Sequence, residues 1–559
     1  MRNENSKEIV PNMHHEYFEL VDKYCDQYGN NTVLLMQVGA FFEVYGLKRL
    51  DSDNNISPSC IDTFSNVCGL NISDKTTFEI KDKTTGECIK CRIMMAGFRD
   101  FTIDKYLTKL TDAGYTAVVY VQEKTDKKII RKLDQIYSPG TFVSYETNNV
   151  TNLSNNIMCI WIERFKTRRH SGIQTTNLFV CGASVINIFT GEVHTCQYET
   201  NYVMNITTFD ELECFVSIHS PSEVIIISDF SSGELDKMIQ YSGIVTNSKH
   251  YVDVTALKAD RCKNQKYMKE IIGKIYGEDA YNACSDFAEY NISTQSLCYL
   301  FDFVQEHNPK LISRIQMPLF NNTTDGLVLA NHTLSQLNII SDNSHDSQGS
   351  GNLSSVMSFL NKCLTSMGKR LFQYQITHPT TNCEWLNCEY DIIGTMMDKD
   401  NYQHISEYRN SLGKIKDLDK FLRQLVIKTL YPNSINVLYD SLSNMQKIMN
   451  SLSNNKEVCL YLSVSQDVTI NNKEGIIVEK IGIIKDFIDK HFVIDDCKGL
   501  TSMNAFVKNI IKPGISEDLD NLNSKYVESL EKLYSIKDYF NKLFQRYEGT
   551  DIEYVKIHE

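Results

Sequence analysis

The sequence predicts a multidomain protein, mixed α/β at first and all-α afterwards. Two observations carry that reading. Short β-favouring apolar runs alternate with a few amphipathic stretches up to Ser228, whereas from Tyr267 onward apolar residues fall at steps of three and four over lengths unsuited to strands. The chain's 559 residues also give ample length for more than one core.

Composition narrows the class. Hydrophobic content of 42% and charged content of 23% are ordinary for a soluble globular protein. The 17 cysteines are scattered through core-like segments and read as reduced thiols of an intracellular protein. Met1 to Met13 has no apolar core to serve as a signal peptide, and no apolar run reaches membrane-spanning length. The net charge of −13 opposes DNA binding only if it is spread evenly, because a local basic stripe can meet phosphates while the rest stays acidic. Two stripes qualify: Lys124, Lys127, Lys128, Arg131 and Lys132, then Arg164, Lys166, Arg168 and Arg169. A solvated helix face or loop explains each equally well.

In chain order, Met13 to Tyr28 reads as an amphipathic helix, and Val33 to Val38 as a strand that Gly39 interrupts. Phe41, Phe42 and Glu43 follow at once. One reading is a core strand whose ring points inward while Glu43 faces solvent. The other is a nucleic-acid wedge, in which an apolar ring enters a base step and a nearby polar group bonds an exposed base edge. Lys81 to Cys91 reads as a hairpin turning at Thr84-Thr85-Gly86-Glu87. Its Cys88-Ile89-Lys90-Cys91, with Cys60 and Cys68 upstream, could form a zinc site only if the fold gathered them. Idle or buried thiols are the expectation, with no metal site.

Asn148 to Asn156 is a polar linker. Strands then follow at Met158 to Ile162, Leu178 to Phe189 and Glu192 to Tyr198, a helix at Phe209 to His219, and a buried strand at Glu223 to Ser228. That is an RNase H-like order. Glu192 and Asp210 are the only acids near the right strand and helix starts, too few for a two-metal nuclease, so the segment reads as structural. Farther on, Thr294 to Glu306 is helical, His332 reads as a helix-start hydrogen bonder, and Ser341 to Asn352 as a surface loop. After Pro513-Gly514, apolar residues from Ile515 to Tyr547 predict one long helix with a coiled-coil-like seam, followed by the start of a strand at Asp551 to Glu559.

Gly39-Ala40-Phe41-Phe42-Glu43 resembles the segment that opens the mismatch-binding domain of MutS proteins, with Ala40 and Phe42 where Asp and Tyr are usual. In the right order follow Ile93-Met94-Met95-Ala96-Gly97-Phe98, a helix through Tyr106, Leu107 and Leu110, a strand from Tyr115 to Gln122, and Ser138-Pro139-Gly140-Thr141. Thr365-Ser366-Met367-Gly368-Lys369-Arg370-Leu371 is similar to the family's lever pattern, with Ser366 in place of Pro, and Asp417-Leu418-Asp419-Lys420 to its Asp-Leu-Glu-Arg segment. Gln37-Val38-Gly39 through Val44-Tyr45-Gly46 is similar to the form found in giant viruses and octocoral mitochondria.

The resemblance implies a mismatch-binding domain over 1–147, an RNase H-like connector over 148–262, a helical core and lever over 263–504, and an incomplete clamp over 505–559. It implies that Phe41 wedges and Glu43 contacts the mispaired base. The implied partner is double-stranded DNA with mismatches or small loops, bound by a homodimer when full length, in a host cytoplasm, a viral factory or a mitochondrion. The family's ATP and Mg belong to a C-terminal ATPase. No Gly-x-x-x-x-Gly-Lys-Ser/Thr occurs here, so neither cofactor nor catalysis is expected of this chain, which reads as a truncated or partial frame. Two rivals remain: an RNase H-like nuclease, and a recombination scaffold from a branch without mismatch reading.

Overall fold

The structure is a computed structural model, and it describes residues 13–49, 60–81, 88–124, 129–143, 153–168, 175–320, 333–340, 354–452, 456–463, 473–500, 509–548, 553 and 555–557. The expected hairpin turn at 84–87, most of the 148–156 linker, His332 and the whole of the 341–352 loop lie outside the described residues.

Helix α1 (Met13–Tyr28) buries Tyr17, Phe18, Val21, Tyr24 and Tyr28 along one stripe. The first sheet comprises β1 (Thr32–Val38), β2 (Phe41–Arg49), β3 (Ser73–Lys81), β4 (Cys88–Arg99), β5 (Thr116–Lys124) and β6 (Ile129–Tyr137), in the order β3-β4-β2-β1-β5-β6. Among the described residues of this sheet, only β1 and β5 pair in parallel. Alternation along each strand feeds two cores. Leu34, Met36, Tyr45, Leu47, Cys91 and Ile93 join the α1 side. Val33, Leu35, Phe42, Val44 and Phe98 pack with α2 (Ile61–Cys68) and α3 (Ile103–Asp112) on the other. Cys91 therefore lies on one face and Cys60 and Cys68 on the opposite one, so the fold does not gather them.

The second sheet holds β7 (Asn156–Arg168), β8 (Thr175–Asn187), β9 (Val193–Asn201), β10 (Glu223–Ser228), β11 (Ser248–Asp253) and β12 (Leu319–Phe320), with α4 (Asp210–His219) before β10 and α5 (Ser232–Tyr241) after it. The order is β11-β10-β7-β8-β9-β12. The β7-β8-β9 run is antiparallel, and β10 is parallel to both β7 and β11. β7 outruns its apolar stretch because Lys166 to Arg168 still pair with Thr175 to Asn177.

The helix expected over Thr294 to Glu306 spans Asn291–His307 and is buried nearly all round against β7 and β8. Its start lies on Gly182 of β8, where a Cβ would stand 2.4 Å from the Ser293 nitrogen. Ser184 Oγ donates to the Ser293 carbonyl at 2.9 Å.

Two compact units divide the chain: residues 1–405 with 416–430, and 406–415 with 431–559. The first holds both sheets and the helices Ser366–Thr377 and Leu418–Val426. In the second, Pro432–Leu452 and Lys473–His491 enclose Leu442, Ile481 and Ile488. The expected long helix spans Glu517–Glu548, and Leu522, Tyr526, Leu533 and Ile536 of its seam are exposed. Of the expected final strand, Val555 is held at both its N–H and its carbonyl by the Asn541 side chain, at 2.8 and 3.0 Å. Among the described residues no helix is long and apolar enough to cross a membrane.

Candidate nucleic-acid interface

The β1–β2 hairpin turns on Gly39 and Ala40, with Val38 opposite Phe41. Gly39 has φ +63°, the left-handed backbone that a two-residue hairpin requires and glycine adopts without strain. Neighbouring strands fix the tip. Gly39 N–H donates to Gln122 Oε1 at 2.9 Å, Gln122 N–H to Gln37 Oε1 at 2.9 Å, and Arg131 Nε to the Gln37 carbonyl at 3.2 Å. Asp100 N–H reaches the Ala40 carbonyl at 3.0 Å.

Period-two alternation then sorts the side chains. Phe42 enters the core 5.9 Å from Phe98, while Phe41, Glu43 and Tyr45 share the opposite face. Phe41 is 43% exposed and Glu43 only 8%. This reverses the plain core-strand reading, which put the ring inside and the carboxylate in water. Glu43 accepts from Lys75 Nζ at 2.6 Å and from the Tyr45 hydroxyl. Opposite it on β4 lies Gly97, where a Cβ would stand 2.6 Å from the Phe42 carbonyl oxygen and 3.4 Å from Glu43 Cγ. The glycine of the Met-Ala-Gly segment thus leaves room for the Phe42 carbonyl, in the peptide that leads into Glu43. Nearby, His14 is held below its ordinary pKa by burial first and by Lys75 next. Burial and the Glu43 bond push the Tyr45 phenol far up, so it stays a donor.

Sequence reasoning missed Lys75 and Tyr45. It also missed Phe101, a ring 56% exposed one residue beyond the bond to Ala40.

Of the first basic stripe, Lys124 ends β5 and Arg131 and Lys132 lie on β6. Lys127 and Lys128 fall outside the described residues, as does the Lys124 side chain at the end of β5. Arg131 is spent on Gln37, and Lys132 pairs with Glu123. In the second stripe, Arg164 is held by Asp229 and Glu234. Arg169 and the side chains of Lys166 and Arg168 lie outside the described residues.

Two other motif segments acquire physical roles. The turn at Ser138 to Thr141 docks on Glu223 of β10, which is fully buried. Ser138 Oγ and Gly140 N–H donate to Glu223 Oε2 at 2.5 and 3.0 Å, and His250 Nε2 lies 2.6 Å from Oε1. Burial alone raises the Glu223 pKa, but the His250 bond and charge, with His307 and Ser138, bring it below its ordinary value. In the helical region, Thr365 caps the Ser366–Thr377 helix at the Gly368 N–H, 3.0 Å away. Arg370 forks onto Asp417 at 2.7 and 2.8 Å and reaches Asp419 at 2.7 Å, joining the Thr365–Leu371 and Asp417–Lys420 segments. Arg423 donates to the carbonyls of Ile188, Ser313 and Leu311, and burial lowers its pKa to about 10.

The nuclease reading is not favoured. Glu192 lies at the turn before β9 and Asp210 is buried at the start of α4. Among the described residues no group of three or more His, Cys, Asp or Glu is placed to hold a metal ion.

Two mixed sheets followed by many helices, with an exposed ring and a buried acceptor at a hairpin tip, define a multidomain α/β and helical chain. The family model of MutS domain I matches residues 73–146, and that of MutS domain III matches 332–551. A mutS homologue of Acanthamoeba polyphaga mimivirus is 22% identical, the match covering 97% of this chain and 47% of that protein. The MutS of Caldanaerobacter subterraneus is 23% identical over 93% of this chain and 51% of its own length. The mitochondrial mutS homologue of Sarcophyton glaucum is 22% identical over 79% and 46%. The chain belongs to the MutS family. It spans about half the length of these curated relatives.

Proposed function

We propose that this chain binds double-stranded DNA at mismatches or small loops, with Phe41 stacking on the unpaired or mispaired base and Glu43 bonding its edge. The observation that supports the reading is the arrangement at the β1–β2 tip: an apolar ring held outside the core, with a carboxylate two residues on along the same face. Such a base has already lost pairing and stacking, so unstacking it costs less than at a matched site. The preference is then indirect readout of deformability. Backbone contacts fall to Lys124, Lys127, Lys128, Arg131 and Lys132.

In this proposal, residues 1–147 read the mismatch and 148–262 form an RNase H-like connector. Residues 263–504 form the core and lever, and 505–559 belong to a clamp. ATP, Mg and homodimer formation belong to the longer proteins of the family, and this chain is assigned no catalysis. The test is a competition titration on homoduplex and on a duplex with one unpaired thymine, at two salt concentrations. Phe41→Ala should weaken the mismatched complex by about 1–3 kcal/mol and leave the salt-dependent homoduplex binding nearly intact. Glu43→Ala should tighten homoduplex binding while narrowing the preference. Equal weakening of both duplexes by Phe41→Ala would show that the ring does not read the mismatch.

A further inference from the structure

Lys75 on β3 and Tyr45 on β2 converge on one atom. Lys75 Nζ and the Tyr45 hydroxyl donate to the same oxygen of Glu43, Oε2. Oε1 accepts no hydrogen bond among the described residues and is not sealed from water. The anchoring groups are themselves fixed. Tyr45 is fully buried, with ring edges against Tyr17 at 5.0 Å and His14 at 4.8 Å. The Lys75 ammonium lies 5.1 Å from the centre of the Tyr45 ring, so ring and carboxylate hold it together.

We infer that Lys75 and Tyr45 are positioning residues that tether Glu43 through Oε2 so that Oε1 is presented, on the Phe41 face, as the acceptor for a base-edge N–H. The inference rests on the mismatch-reading role proposed for Glu43. A free glutamate on a surface strand samples several rotamers, and each bond it makes must first overcome that freedom. A carboxylate tied at one oxygen has already lost it, as when an outer group orients a ligand-binding one. Lys75 does a second thing. Its positive charge offsets that of Glu43 beside a polyanion, so the acceptor can approach DNA with less repulsion from phosphates. The two residues differ in this respect, because Tyr45 supplies a bond without a charge.

The test uses the 559-residue chain with Tyr45→Phe, Lys75→Met and Lys75→Arg, each alone and combined with Glu43→Ala. Affinities are read on homoduplex and on a duplex with one unpaired thymine. Tyr45→Phe should lower the ratio of mismatched to matched affinity about fivefold and leave homoduplex affinity unchanged. Lys75→Met should lower the ratio by about the same factor and also weaken both duplexes, and Lys75→Arg should restore both. Neither substitution should have any further effect on the ratio once Glu43 is alanine. If Glu43→Ala narrows the ratio but Tyr45→Phe and Lys75→Met leave it intact, the tether is overturned and the reading of Glu43 stands. An effect that persists in the Glu43→Ala background also overturns it, because the residues then act through the fold. If Glu43→Ala itself leaves the ratio unchanged, the reading falls and the tether with it.

Discussion

Arg370 offers the sharpest test of how the helical region of the first unit is held. Its guanidinium makes two bonds to Asp417 and one to Asp419, and a fourth goes to the Leu153 carbonyl at 3.2 Å. Arg370 and Asp417 are largely buried, with side chains 13% and 15% exposed. Removing one partner of such a pair leaves an uncompensated charge, which costs about 3–5 kcal/mol. Asp417 keeps its helix-capping bond from the Lys420 N–H at 3.2 Å, so Arg370→Ala should fall at the lower end, about 3 kcal/mol. Amides whose exchange requires that interface to open should then exchange about a hundredfold faster. The assay is hydrogen exchange followed by mass spectrometry on peptides from the helices Ser366–Thr377 and Leu418–Val426. Arg370→Met with Asp417→Asn should cost less than Arg370→Ala, because no bare charge remains. Unchanged exchange in Arg370→Ala, or a double variant that is worse than the single, would refute the reasoning.

Gly97→Ala should destabilise the β2–β4 pairing by about 1–3 kcal/mol, since its methyl must displace the Phe42 carbonyl, and it should narrow the mismatch preference more than an alanine elsewhere on β4; denaturant melts and the competition titration check the two effects. His307 is buried and His219 half-buried with its Nε2 shut away from water, and burial holds each below its ordinary pKa. Each therefore binds its proton less readily in the fold than in the unfolded chain, which takes it up below about 6.5. Their contribution is therefore fully present above that pH and is lost as pH falls toward the folded values, so melting temperature should be flat above pH 7 and drop between 6.5 and 5. His219 Nε2 has no hydrogen-bond partner among the described residues, so His219→Phe should flatten that drop, by about 1.4 kcal/mol for each pH unit over which only the unfolded chain would have bound the proton.

What the sequence revealed is whatever depends on near neighbours. α1 spans the expected Met13–Tyr28 because its stripe repeats at helical spacing, and the Glu517–Glu548 helix was legible for the same reason. The strand order from β7 to β10 followed from apolar runs separated by turn residues. The rest depends on distance along the chain. Glu43 meets Lys75 across 32 residues and Ser138 meets Glu223 across 85, and no local pattern distinguishes these polar residues from solvated ones. Phe41 was ambiguous because alternation fixes which residues share a face but not which face is covered. β11 and β12 passed unnoticed because β11 mixes polar and apolar residues and β12 has two residues.

The Glu223 contact also bears on inheritance. The first sheet domain looks like a module that could be exchanged between relatives at its exit turn. Its seam, however, is keyed to one acid. A transplanted domain with any residue larger than glycine at 140 would bring a Cβ to within 2.7 Å of Glu223 Oε2. A recipient without an acid at 223 would instead bury the Ser138 hydroxyl and the Gly140 N–H with nothing to accept them. Viable hybrids must therefore carry the turn and the acid together, and those two sites, 83 residues apart at their nearest bond, should change in concert as the family diverges.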